Sequence, residues 1–300
     1  MTKKVYWLIL IIVTSGLFFG LYRLDIRINL PSQKPELEVA FLDVGQGDSI
    51  YIRTPNNTKI IIDGGPNKNI MTELSSVRPF WEHEIDIMIL THPHADHLIG
   101  LIEVLNRLNV KKVYYTGALS PTPDYIEWLG LIREQNIPLE IIAGKQTLNI
   151  DRDINLEFLY PLTNFTNIRP KELNDSSIVT RLTYKNINFL FMGDAEVPVE
   201  EELLQENINL MAQVLKVGHH GSTSSSSETF LERVNPQLAI ICVGQDNDFG
   251  HPHLQTLRRL ERRGIGILRT DELGTIRLKT DGQNLKKYKT GIFTKDEILL

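Results

Sequence analysis

Cysteine is almost absent from this chain: Cys242 stands alone in 300 residues. That excludes an internal disulfide framework and any zinc cluster built on thiolates, so a metal site here has to be made of histidine and carboxylate. A basic excess is also missing. The formal net charge of −5 argues against a protein that coats nucleic acid through its overall field. No repeat of fixed period occurs, Ser224–Ser227 is the sole low-complexity patch, and no histidine falls between Leu98 and Gly218. What is present is ordinary globular material. Hydrophobic residues make up 42% and charged residues 23%, which excludes disordered, collagen-like and coiled-coil chains and suits one large domain. The charge is uneven: residues 251–290 hold ten Lys+Arg and four Asp+Glu, a net of +6, which leaves −11 on the rest.

The amino terminus stands apart from that domain. Val5–Tyr22 runs for 18 residues without a charge, preceded by Lys3 and Lys4 and closed by Arg23. This length spans a bilayer core as a helix, and the sequence after Tyr22 offers no small-x-small cleavage site. The expectation is an uncleaved single-pass anchor over residues 1–30, with secretion after cleavage as the alternative. The lysines favour an extracytoplasmic domain, an argument weakened by Arg23 and Arg27 on the far flank. Pro31–Pro35 reads as a stiff linker, and the globular domain is expected over 31–300.

Strand-like runs LEVAFLDV (37–44), SIYIRT (49–54) and KIIID (59–63) open the domain as an antiparallel meander. Strands and helices then alternate: IDIMIL, a helix over 97–108, a strand near KKVYY, a helix over 124–135 and a strand at LEIIA. The third quarter returns to strands with INLEFLY, SSIVTRLTY and INFLFM. The last alternates again, through AQVLKV, a helix over 227–234, QLAIICV, a helix over 253–263, and strands IGILRT and GTIRLK. Alternating and antiparallel portions together predict two mixed sheets packed face to face with helices outside.

Seven of the eight histidines fall in three short clusters, His92/His94/His97, His219/His220 and His251/His253. Each follows a strand-like run or a glycine-containing loop. Metal sites collect ligands in this way, from strand ends where loops converge. In THPHADH, the i, i+2 spacing turns His92 and His94 toward one ion, while Asp96 and His97, at the start of the next helix, face a second. Zinc suits this set, or manganese or iron where carboxylate dominates. Asp63, before Gly64-Gly65, is placed to hydrogen-bond the imidazoles from behind and fix their tautomers. Asp194, in FMGDAE, either bridges two metals or only caps the following helix. One of His219 and His220 is a ligand and the other contacts substrate, with strand-end position slightly favouring His219. Lys216 either faces the site or, the preferred reading, is a solvated lysine. Ser222, in the hydroxyl-rich loop 222–227, either offers a hydrogen bond to an anionic group or belongs to a linker; His251 and His253, at a helix start, touch a phosphate or protonate a leaving oxygen. Arg258 and Arg262 either track a phosphate backbone or belong to a solvated face.

Taken together, LDVGQGDS, DGG, THPHADH, MGDAE, LKVGHHGS and GHPH resemble the metallo-β-lactamase superfamily over about residues 38–290. More narrowly, the set is similar to the carboxy-terminal hydrolase domain of ComEC-type competence (DNA-internalisation) proteins. The resemblance implies a four-layer αββα sandwich and a hydrolase with one or two divalent ions at a sheet edge. It implies His92 and His94 on one ion, Asp96 and His97 on the other, Asp194 between them and His219 or His220 as the last histidine. The superfamily's usual further histidine is missing from 98–218, so Asn174 or Asp175 substitutes or one site is weak or empty. A single apolar span leaves no room for a translocation pore.

The function expected is metal-dependent cleavage of phosphodiester bonds, with single-stranded DNA as a candidate substrate. Metal-activated water is the nucleophile, Asp96 or Asp194 orients it, the His219/His220 loop offsets charge on the phosphoryl oxygens, and His253 or His251 assists the leaving oxygen. Two rivals stand beside it: an esterase for a small envelope phosphoester such as phosphorylcholine, and a non-catalytic envelope module that keeps a degenerate metal site.

Overall fold

A computed structural model describes residues 36–288 and 297–300, together with Tyr6, Trp7 and Thr14. Apart from those three residues the expected membrane anchor lies outside the described residues, and Pro35–Leu300 is a compact unit of its own. Among the described residues no helix is long and apolar enough to cross a membrane.

The first half contributes strands β1 (Leu37–Phe41), β2 (Ile50–Arg53), β3 (Lys59–Ile62), β4 (Glu84–Ile85), β5 (Ile87–Ile89), β6 (Asn109–Val110), β7 (Val113–Tyr115) and β8 (Leu139–Ile141). Its helices are α1 (Ile70–Val77), α2 (Ala95–Arg107) and α3 (Pro123–Glu134). The second half adds β9 (Gln146–Asp151), β10 (Ile154–Tyr160), β11 (Val179–Tyr184), β12 (Ile187–Phe191), β13 (Val214–Lys216), β14 (Leu238–Ile241) and β15 (Gly266–Arg269). With these come α4 (Val197–Gln205), α5 (Glu228–Val234), α6 (Leu254–Arg262) and α7 (Thr270–Leu273). Finally β16 (Ile276–Thr280), β17 (Leu285–Tyr288) and β18 (Glu297–Ile298) cross back to the first sheet.

Strand order is β18-β17-β16-β1-β2-β3-β5-β7-β8 in one sheet and β15-β14-β13-β12-β11-β10-β9 in the other. Each sheet is half antiparallel meander and half parallel. The change falls at β3/β5 in the first and at β12/β13 in the second. Period-two side-chain alternation then sorts the apolar residues into three cores. Leu37, Val39 and Phe41 of β1 meet Phe158, Phe189 and Phe191 between the sheets. Ala40, Tyr51 and Ile61 face outward onto Leu74 of α1, Leu101 of α2 and Trp128 of α3, and Leu190, Leu215 and Ala239 face Leu203 of α4, Phe230 of α5 and Leu260 of α6. Three cores between four layers make the expected αββα sandwich.

Several details depart from the expected pattern. The run IDIMIL is interrupted at Asp86, whose carboxylate accepts the Lys59 backbone N–H at 2.9 Å. Ile85 therefore pairs with Val110 in a separate two-stranded ribbon. Helix α1 and strand β9 also form where no periodic pattern marked them.

The switch from antiparallel to parallel pairing sets the site, because the loops leaving β3, β5, β12, β13 and β14 all open at one edge. Packing there is close. A Cβ on Gly64 would collide with the backbone of Leu101, and one on Gly100 with the carbonyl of Gly64. Only glycine at both positions lets the loop after β3 lie on α2, where the Gly64 N–H donates to the His97 carbonyl at 2.7 Å.

Candidate metal centre

The loop after β5 carries His92 and His94, with His94 as the N-cap of α2. Asp96 and His97 occupy the first turn of that helix. His92 Nε2 lies 3.1 Å from His94 Nδ1, so the i, i+2 spacing brings these two imidazoles together. Asp194, after β12, points Oδ2 at His97 Nε2 (3.3 Å), His220 Nε2 (3.4 Å) and His92 Nε2 (3.9 Å). His220 Nε2 is also 3.3 Å from Asp96 Oδ2. Donor atoms of Asp96, His97, Asp194 and His220 all lie within 4.8 Å of one another.

His97 Nε2 and His220 Nε2 are buried without a hydrogen-bond partner. Buried polar atoms normally find one. Two imidazole nitrogens and two carboxylates aimed at a common point are a donor set that a divalent cation completes, so the residues fit a metal. The His92/His94 half has Asp194 but no third histidine. Asn174 lines the cleft beside it, whereas Asp175 does not. The buried Asn174 Oδ1 has no hydrogen-bond partner.

Charge follows the geometry. Burial works against the imidazolium of His97, but Asp194, Asp63 and Asp96 outweigh it and hold its pKa well above the ordinary value. Burial likewise opposes the charged form of His220, and Asp194 again prevails to raise it strongly. Asp194 is resisted by its own burial and held well below the carboxylate range by His220 and His97. His92 goes the other way, since burial and the neighbouring His97 push it well down and keep it neutral.

Three of the imidazoles, His97, His220 and His92, are oriented from behind. His97 Nδ1 donates to Asp63 Oδ2 at 2.8 Å, and Asp63 is itself fixed by the Thr91 N–H (2.8 Å) and hydroxyl (2.7 Å). His220 Nδ1 donates to the Cys242 carbonyl at 2.9 Å. His92 Nδ1 meets the Ser177 hydroxyl at 3.2 Å, and that hydroxyl accepts the Asp194 N–H at 3.1 Å.

Between the two neighbouring histidines the structure corrects the sequence preference. His219 and His220 both adopt left-handed backbone (φ 46° and 52°), and this turn swings His220 inward, 1% exposed. His219 instead lies at the rim, its Nδ1 2.7 Å from Glu196 Oε1. Strand-end position is no guide where the strand runs into so tight a turn. Non-glycine residues held at positive φ in succession mark a segment constrained by its surroundings.

Lys216 is a second correction. It is fully buried, because β13 lies between β12 and β14 and all three of its residues are covered. Its ammonium pairs with Asp48 and donates to the Gly193 carbonyl at 2.8 Å, with Asp194 Oδ1 at 3.9 Å. Burial disfavours that charge, yet Asp48 and Asp194 raise its pKa. Asp48 in turn lies 3.4 Å from His220 Nδ1. The sequence assigned no role to Asp48 or Ser177; the only signal was an acidic residue and a serine each set beside a short apolar strand.

Other candidates lie farther out. The cleft over the cluster measures about 180 Å³ and is lined by His94, Asp96, His219, His220, Phe249 and His251, among others. Ser222 is absent from this lining; its hydroxyl is spent on Ser224 at 2.9 Å. His253 is also outside it, serving as N-cap of α6 behind His251, with ring centroids 4.9 Å apart. Arg262 is paired with Glu228 at 2.8 Å. Arg258 is exposed and has no partner among the described residues.

A family model, the metallo-beta-lactamase superfamily, matches residues 42–245, a stretch that holds the whole donor set. The chain belongs to the metallo-β-lactamase superfamily. Among curated proteins it is 32% identical over 267 residues to ComE operon protein 3 of Bacillus subtilis, covering 83% of this chain and 34% of that protein. It is 30% identical over 268 residues to competence protein ComA of Neisseria gonorrhoeae, covering 86% and 36%. The chain thus spans about a third of the length of these relatives. Among solved structures, CmlA, a diiron β-hydroxylase from Streptomyces venezuelae, shares the superfamily fold with a TM-score of 0.51 at 13% identity, over 83% of this chain and 55% of CmlA.

Proposed function

We propose that this chain is a divalent-metal-dependent hydrolase of phosphodiester bonds, with single-stranded DNA as its substrate, held at the cell membrane by its amino-terminal segment with the domain outside. The convergence of Asp96, His97, Asp194 and His220 at the floor of an open cleft carries the reading. The names of the competence relatives favour DNA over other phosphodiesters. Held by Asp96, His97, Asp194 and His220, a divalent ion, zinc or manganese, would supply Lewis acidity at the phosphoryl oxygen and would lower the pKa of water to about 7.

The chain's own residues do the rest. Asp63 holds His97, and the Cys242 carbonyl holds His220, so both Nε2 atoms face inward. Asp96, partly exposed at the cleft floor, is kept ionised against its burial chiefly by His97; so weak a base orients the attacking water by accepting a hydrogen bond from it, and the water's proton passes to solvent. His251 is a poor proton donor at neutral pH, since burial and the nearby His219 and His220 lower its pKa to about 4. The imidazole backed by a carboxylate at the rim, His219 with Glu196, is the better-placed donor to the leaving oxygen.

The test measures metal content of the purified chain, together with turnover of single-stranded DNA and bis(p-nitrophenyl) phosphate with and without chelator. One or two equivalents and chelator-sensitive cleavage, abolished in His220→Ala, are expected. Bound metal without turnover of either substrate would refute the hydrolase. The net charge of −11 outside residues 251–290 favours a second reading, a small envelope phosphoester. Turnover of such an ester with no cleavage of DNA would select it.

A further inference from the structure

Phe249 is 64% exposed, although it lies at the lip of the cleft that holds the proposed metal ligands. Its ring stacks on His251, with centroids 5.8 Å apart and planes at 21°. His251 is wedged in turn against His219 (5.3 Å) and His253 (4.9 Å). The loop beneath is clamped: Asn247 donates from Nδ2 to the carbonyls of Gly244 (3.0 Å) and His251 (2.7 Å) and accepts the His251 N–H at 3.0 Å. An exposed aromatic ring on so fixed a loop costs apolar hydration and adds nothing to a core. At about 180 Å³, the cleft is smaller than the roughly 300–1,000 Å³ of sites that enclose a whole small molecule. It takes a phosphate, and the rest of a nucleotide must lie on the lip, where the free face of Phe249 is presented.

We propose that Phe249, backed by His251, is a stacking platform for an unpaired base next to the scissile phosphate, which would make a single-stranded nucleic acid the preferred form of substrate. This rests on the phosphodiesterase reading and specifies its substrate. Base-on-aromatic stacking tolerates any sequence because every base has a π-face, so the platform selects for unpaired bases and against duplex, whose bases are buried in the stack.

Two arms test it in the full chain. In the binding arm, with chelator present so that nothing is cut, an oligothymidylate and an abasic deoxyribose-phosphate strand of equal length are titrated by fluorescence anisotropy. Phe249→Ala is expected to weaken oligothymidylate binding roughly 5- to 100-fold and to leave the abasic strand within about twofold, with Phe249→Trp restoring the difference. In the kinetic arm, kcat/KM should show the same selective loss. Equal effects of Phe249→Ala on both strands, or none on either, overturn the platform even if the wild type cleaves DNA. Base- and Phe249-dependent binding without cleavage would keep the platform and overturn the hydrolase reading.

Discussion

Replacing Lys216 with methionine keeps most of the side-chain volume and removes one buried positive charge. The ammonium pairs with Asp48, bonds the Gly193 carbonyl at 2.8 Å and faces Asp194 Oδ1 at 3.9 Å, with all three side chains almost inaccessible. Taking one partner from a buried pair leaves an uncompensated charge and costs about 3–5 kcal/mol, whereas the volume change alone costs less than about 1.5 kcal/mol. For a domain of this size each kcal/mol is worth about 2–4 °C, so the metal-free Lys216→Met chain should melt roughly 6–20 °C lower. Adding Asp48→Asn removes one orphaned carboxylate and should restore part of the loss, a coupling of at least about 1 kcal/mol in a double-mutant cycle. The deficit should also shrink as the pH falls toward about 4, since a carboxylate without its cation has a raised folded pKa and is stabilised by protonation. Urea unfolding with chelator, followed by circular dichroism from pH 4 to 8, reads all three. A Lys216→Met chain within about 1 kcal/mol of wild type at pH 7 would show that the fold does not depend on the ammonium as the counter-ion of Asp48 and Asp194.

His220→Ala should lower the equivalents of bound metal by about one, while His219→Ala keeps them; elemental analysis after dialysis decides, and the reverse pattern would restore the strand-end assignment. The pKa values of His97 and His220 are raised in the metal-free fold. Their contribution to its stability is therefore fully present below about pH 6.5 and lost as the pH rises through the folded values. A cation that replaces those protons should add a melting-temperature gain that grows between pH 6 and 9, and a gain that is flat across this range would contradict the shifts. If a polynucleotide lies along α6, Arg258→Ala should reduce the salt slope of binding by about one. Arg262→Ala, already paired with Glu228 at the surface, should leave the slope unchanged.

The reading from sequence went furthest where function needs residues close along the chain. THPHADH places His92, His94, Asp96 and His97 within one loop and one helical turn, so spacing alone brought them together. Asp194 and the paired histidines were legible as strand-end residues, but which histidine turns inward depended on two left-handed backbone positions. No local pattern encodes these, since histidine, though enriched at positive φ, adopts it only in a small minority of cases, and two in succession are not signalled by sequence. Lys216 was misread because a lysine after two apolar residues looks like a strand end, and its burial follows from β12 and β14 on either side. Those pairings join residues far apart in sequence. The same holds for Asp86, whose bond to the Lys59 N–H breaks an apolar run that looked continuous.

The two halves of the donor set differ in what stands behind them, and this sets the order in which ions would bind. On one side Asp96, His97, Asp194 and His220 supply four donors, with His97 backed by the Asp63 carboxylate and His220 by a backbone carbonyl. On the other, His92 is backed by the hydroxyls of Ser177 and Thr91, and its partners are His94 and the shared Asp194. A carboxylate behind an imidazole raises its basicity more than a hydroxyl can, and outer partners of this kind change metal affinity by about 10–100-fold. A fourth donor and a better-backed pair both favour the Asp96 side, so the first ion is expected there. The second should bind more weakly, with Asn174 Oδ1, unpartnered in the same cleft, as a further oxygen donor. Calorimetric titration should resolve two steps in wild type, with His97→Ala removing the tighter and His92→Ala the weaker. Loss of the tighter step in His92→Ala would reverse the order and with it the argument from outer partners.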